Sequence, residues 1–226
     1  MVNKLVEETK SLIAKLIALI TPGLVAGLGN ATPGGMCIEA AVSLATTGEF
    51  GDMPPCVAKP DRDYAIRIND AQWSSPQARA AALLPLAIAQ IGTAGTDRTA
   101  WVARLAEGTI RRVVPLALRA AASAHSDATH REALEAAALR CETEGTIDAA
   151  DAAAAASFAA YAVAACADAA HDAAHAAVYA ASYAAADAAR AAARVVANAA
   201  SGIAGDDVLR ISVQVALDAY AEEKVA

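Results

Sequence analysis

The sequence predicts an all-α protein: a compact multi-helix domain over residues 1–146, followed by closely packed antiparallel alanine-rich helices over 147–226, with room for both parts to pack as one unit. Three observations predict it. Up to about residue 147, glycine and proline punctuate short stretches of good helix formers. From 149 to 200, 32 of the 52 residues are alanine and none is glycine or proline. Hydrophobic residues make up 57% of the chain but aromatics only 4%. A core of that kind gains its stability from close helix approach, because alanine has the highest helix propensity but buries little area.

The elements follow in order. A first helix is expected over 2–20, stopped by Thr21-Pro22-Gly23. Residues 23–35 hold five glycines and Pro33, which makes them a loop. A short helix over 36–46 ends at Gly48, and a second loop, 48–60, carries Pro54, Pro55 and Pro60. A helix over 61–68 precedes Ser75-Pro76, an N-cap followed by proline at the first helical position. That helix runs to Ile91 and stops at Gly92, with a kink expected at Pro85. Asp97 opens another, ending near Gly108; Thr109 opens the next, to about 124, with a kink expected at Pro115. Ser126 or Asp127 caps a helix that ends at Gly145.

A single helix over 149–200 would be roughly 75–80 Å long, so a turn is expected, best placed at 168–172. Asp168, Asp172, His175, Tyr179, Tyr183, Asp187, Arg190 and Arg194 fall at steps of three or four and form one stripe. Gly202 and Gly205 end the region, and Asp206 caps a last helix to about Glu222.

Composition narrows the function classes. A net charge of −7 lacks the basic footprint of general nucleic-acid binding. The apolar segment 12–20 is broken by Lys15 and is too short to span a bilayer. Glu7 and Glu8 argue against a signal peptide, so a cytoplasmic protein with reduced cysteines is expected. Cys37, Cys56, Cys141 and Cys166 match no zinc spacing. There is no P-loop, no dinucleotide glycine fingerprint, no nucleophile elbow and no kinase or deaminase signature. No cofactor is expected.

Three constellations carry candidate chemistry. Cys37 follows Gly34-Gly35-Met36 and opens a helix, where the dipole lowers a thiol pKa and can expose a nucleophile. The same position suits a small buried hydrophobe with an inert thiol, or a pair with Cys56 closing the intervening loop. His171 and His175 stand at i and i+4, like the zinc-binding H-E-x-x-H pattern with Asp172 in place of the glutamate. Cys166 and Asp168 are the nearest third ligands; a solvated or interhelical polar stripe is the plainer reading. Asn69, Asp70 and Trp73 precede the helix N-terminus at Pro76, where backbone N–H groups can hold an anion. With Glu39, and with Arg79, Arg111 and Arg112 adding positive charge, they form a candidate ligand-binding set. The structural alternative is a buried Trp73 beside an Asx-turn and an N-cap.

The run Gly35-Met36-Cys37-Ile38-Glu39-Ala40-Ala41, with Pro55-Cys56-Val57, Asn69-Asp70, Trp73-Ser74-Ser75 and Ala78-Arg79, resembles a group of uncharacterised bacterial and phage proteins. In these a cysteine-containing N-terminal part precedes an alanine-rich helical tail. The resemblance covers about residues 20–145, and the tail is weakly similar to the alanine-rich part of immunity proteins. It implies a phage or mobile-element setting and carries no activity. The expected function is therefore non-enzymatic binding, in phage–host conflict, of a protein or a small ligand. A hydrolase or transferase using Cys37, or a metal at His171 and His175, is the alternative. A virion or assembly component, whose alanine faces pack between copies in a homo-oligomer, is the third.

Overall fold

The computed structural model describes residues 2–163 and 205–223, and these form helices joined by loops, with no strand among them. The helices are α1 Val2–Ile20, α2 Ile38–Thr47, α3 Lys59–Asn69, α4 Pro76–Ala89, α5 Thr99–Arg112, α6 Val114–Ala124, α7 Ala128–Glu144, α8 Ile147–Val163 and α9 Gly205–Glu223. None is long and apolar enough to cross a membrane. The chain divides into two compact units, Met1–Arg98 and Thr99–Ala226. The division expected at 146/147 runs through the second of these, where α8 packs on α7 and α6.

In the first unit α2 is the central helix, with α1, α3 and α4 all packed against it. Its sequence suits that place: Ala40, Ala41 and Ala45 let neighbours approach, and Ile38 and Val42 fill the remaining space. Leu16, Ile20, Met36, Tyr64, Ile68, Leu83 and Leu86 complete the core. The glycine-rich loop 23–37 wraps the N-terminal end of α2. It doubles back through an isolated bridge between Gly29 and Met36. Gly29 has φ +72°, and a Cβ there would strike the Gly35 carbonyl, so this turn requires glycine.

The second unit has two parts. Leu118, Leu134, Ala138, Cys141, Ala149, Ala150 and Ala153 form the core between α6, α7 and α8. On the α7 and α8 sides this core is largely alanine: Ala137, Ala138, Ala149, Ala150 and Ala153. Elsewhere α9 packs on α5, and the Trp101 and Tyr220 rings sit 5.2 Å apart.

Local signals place most boundaries. Ser75 Oγ accepts from the Ala78 N–H at 3.0 Å, Asp127 Oδ1 from the His130 N–H at 3.1 Å, and Gly48 and Gly145 end their helices at positive φ. Three expectations are corrected. Pro60 belongs to the first turn of α3, where its missing N–H costs nothing. Gly108 does not end α5, which continues to Arg112. A Cβ at Gly108 would lie 2.6 Å from Val215 Cγ1 of α9, so the glycine serves close helix packing. Pro115 lies in the first turn of α6 and does not interrupt a helix. The expected turn at 168–172 and the polar stripe lie outside the described residues.

Candidate functional site

Polar groups gather at both ends of α2, and those at its N-terminal end are tied to the glycine-rich loop. Asn69 and Asp70 close α3, and their side chains reach 44 and 43 residues back along the chain. Asn69 Nδ2 donates to the Val25 carbonyl at 2.8 Å and its Oδ1 accepts from the Ile38 N–H at 3.2 Å. Asp70 Oδ1 accepts from the Gly27 N–H at 2.7 Å and from Asn69 Nδ2 at 2.9 Å. Arg79, buried in the first turn of α4, donates to the Leu24 carbonyl at 2.8 Å and to the Ala71 carbonyl at 3.3 Å. Trp73 is buried and its Nε1 donates to the Ile68 carbonyl at 2.9 Å. Four of the seven ligand-binding candidates thus converge, and what they hold is backbone, chiefly that of the loop.

Cys37 caps α2, its Sγ accepting from the Ala40 N–H at 3.4 Å. Burial pushes the thiol pKa up, and the backbone N–H groups of Ala40 and Glu39 only partly offset that. The dipole effect expected from sequence is therefore outweighed by desolvation. Residues 1–98 contain no histidine to act as base. Cys37 and Cys56 do not form the pair considered from sequence. Cys56 Sγ lies 3.8 Å from Thr46 Oγ1, near the opposite end of α2. Nine residues of helix put Cys37 and Thr46 about 13 Å apart, whereas a disulfide needs Cα atoms within about 7 Å. Cys37, Cys56 and Cys141 are all free thiols.

Glu39 is the unusual group. It stands in the first turn of α2, wholly buried, and neither carboxyl oxygen has a hydrogen-bond partner. Burial raises its pKa to about 8. The Gln90 amide at the C-cap of α4 and the Arg62 charge on α3 pull it back, while Asp61 and Asp52 push it further up. Gln90 is wholly buried too, and although it favours the carboxylate, neither amide atom closes a hydrogen bond. Beside them Arg98 grips Asp61 with two bonds of 2.9 Å in a buried ion pair. This centre is a neutral acid beside a carboxamide, both able to donate and to accept, in a place shut off from solvent. Such a pair suits hydrogen bonding to a small polar group. Glu39 is a poor base for Cys37, because it holds its own proton at neutral pH and positions i and i+2 face apart on a helix.

Sequence reasoning singled out Glu39 but not Gln90 or Arg98. Gln90 carries no local signal beyond preceding the helix stop at Gly92, and the Asp61–Arg98 pair spans 37 residues. Arg111 and Arg112 belong to the second unit. Arg111 Nη1 and Nη2 donate to the carbonyls of Glu142, Thr143 and Glu144 at 2.7–2.9 Å, and its Nε donates to Glu107. Arg112 Nη1 donates to Asp218 Oδ2 at 2.6 Å. His171 and His175 lie outside the described residues. Among the described residues no three His, Cys, Asp or Glu side chains gather as a metal site would require.

Fold and site together define a class: an all-α protein with a solvent-excluded acid–amide centre beside its central helix. The chain matches no protein-family model, no curated protein and no solved structure.

Proposed function

We propose that the protein acts by binding a partner and not by catalysis, with its N-terminal unit as the recognition module. The observation that supports this most is the state of Cys37, the best nucleophile candidate in the sequence. It is buried, held protonated by desolvation, engaged as a helix cap, and without an imidazole in its unit. The polar residues that accompany it hydrogen-bond the loop backbone at Leu24, Val25 and Gly27, as suits a surface that must keep its shape. Loop 48–58 is held as well: the Cys56 carbonyl accepts from Gly92 and Ala94, and Thr93 Oγ1 accepts from the Ala58 N–H. It leaves Phe50 and Met53 in solvent. The resemblance to bacterial and phage proteins supports seeking the partner in phage–host conflict.

Timed labelling with iodoacetamide at pH 7, read by peptide mass spectrometry, tests the catalytic alternative. Cys56 should react first of Cys37, Cys56 and Cys141, and Cys37 more slowly than a free thiol. A Cys37 that outpaces a free thiol would overturn the proposal, as would any turnover lost in Cys37→Ala. Native mass spectra of the purified protein, compared with denaturing spectra, should show a mass that leaves on denaturation when partner is present.

A further inference from the structure

A cavity of about 220 Å³ lies between α5 and α9 in the second unit. Its floor is Gly108, Val215 and Ala219, small or apolar residues, and a Cβ at Gly108 would lie 2.6 Å from Val215 Cγ1. Its walls are charged. Arg104 and Arg112 stand on α5, and Asp218 and Glu222 stand on α9. Arg111 and Glu107 also line it, but they bond each other, and the remaining Arg111 donors are committed to the α7 carbonyls.

The walls are joined by ion pairs across the groove, Arg112 to Asp218 at 2.6 Å and Arg104 to Glu222 at 3.7 Å. The first is half in solvent, its side chains 43% and 48% exposed. An exposed pair of this kind contributes about 0–1 kcal/mol, so a ligand can exchange it at small cost. Charge balance then selects the ligand. A simple anion on Arg112 takes the ionic partner from Asp218, which keeps only the Gln214 Nε2 bond at 2.8 Å, and a simple cation on Asp218 takes it from Arg112. A zwitterion inserted between them pairs both.

Size selects further, because drug-sized ligands fill roughly 300–1,000 Å³. We propose that this groove binds a free α-amino acid, its carboxylate on Arg112, its ammonium on Asp218, and an aliphatic side chain on the Val215–Ala219 floor. This site is separate from the N-terminal unit. Failure here leaves partner binding intact, and a reactive Cys37 would leave the groove untouched.

Isothermal titration calorimetry of the full chain with L-leucine, N-acetyl-L-leucine and L-leucinamide tests it. The three share a side chain but present both charges, the negative alone and the positive alone. Leucine should bind about threefold to fivefold more tightly than either analogue; Arg112→Gln should abolish its advantage over leucinamide, and Asp218→Asn its advantage over N-acetyl-leucine. No heat from leucine, equal binding of all three, or unchanged leucine binding in the double variant would overturn the proposal. The analogue comparison needs no variant, so it stands even if a substitution disturbs folding.

Discussion

A carboxyl group removed from water holds its proton to higher pH, and that makes Glu39 a source of pH-dependent stability. Its pKa is about 8 in the folded chain, against an ordinary 4.5. Between those values the folded state binds a proton that the unfolded state has released, so stability falls as pH rises. The slope approaches about 1.4 kcal/mol per pH unit within that window. The contribution is complete below pH 4.5 and fully lost above about 8. Glu39→Gln removes the titration and keeps the shape. Urea unfolding of both proteins at pH 5, 6, 7 and 8 should show the variant gaining on the parent at each step. A constant difference would mean that Glu39 is ionised in the fold. Cys141 shows the same physics without a network, its thiol pushed up to about 11 by burial while it donates to the Ala149 carbonyl.

At the scale of elements, each unit is tied internally by one cap made of parts distant in the chain. Arg111 of α5 spreads its guanidinium under the last turn of α7, where unpaired carbonyls and the negative end of the dipole meet. Gly145 makes room for it: φ is +64°, and a Cβ would run into that guanidinium. Gly145→Ala combines left-handed strain, about 1–2 kcal/mol, with displacement of the cap. It should lower the stability of the second unit by at least that much in thermal or urea unfolding. In the first unit, Asn69→Ala removes the bonds to Val25 and Asp70 and strands the buried Ile38 N–H. The expected loss is about 2–4 kcal/mol.

For the whole molecule, these two lesions have separate reporters. The chain has two tryptophans, Trp73 in the first unit and Trp101 in the second. With Trp101→Phe, fluorescence reads the first unit alone, and with Trp73→Phe it reads the second. Asn69→Ala should shift the Trp73 transition more than the Trp101 transition, and Gly145→Ala should do the reverse. Equal shifts from each lesion would show one cooperative body.

The helices themselves were legible because their signals are local. Helix α1 matches its expected span, and Ser75, Asp127, Gly48 and Gly145 act within four residues of where they stand. Glycine and proline inside long apolar stretches were not legible, since their meaning depends on what packs against them. Gly108 ends nothing because Val215 lies over it, and Pro115 opens a helix because α5 has already stopped at Arg112. The sites depended on tertiary structure most of all. Asn69 meets Val25 across 44 residues and Arg112 meets Asp218 across 106. Composition and periodicity set which segments are helical and which face is apolar. Only folding brings Gln90 to Glu39, because desolvation and pairing belong to neighbours in space, and chain order does not encode those neighbours locally.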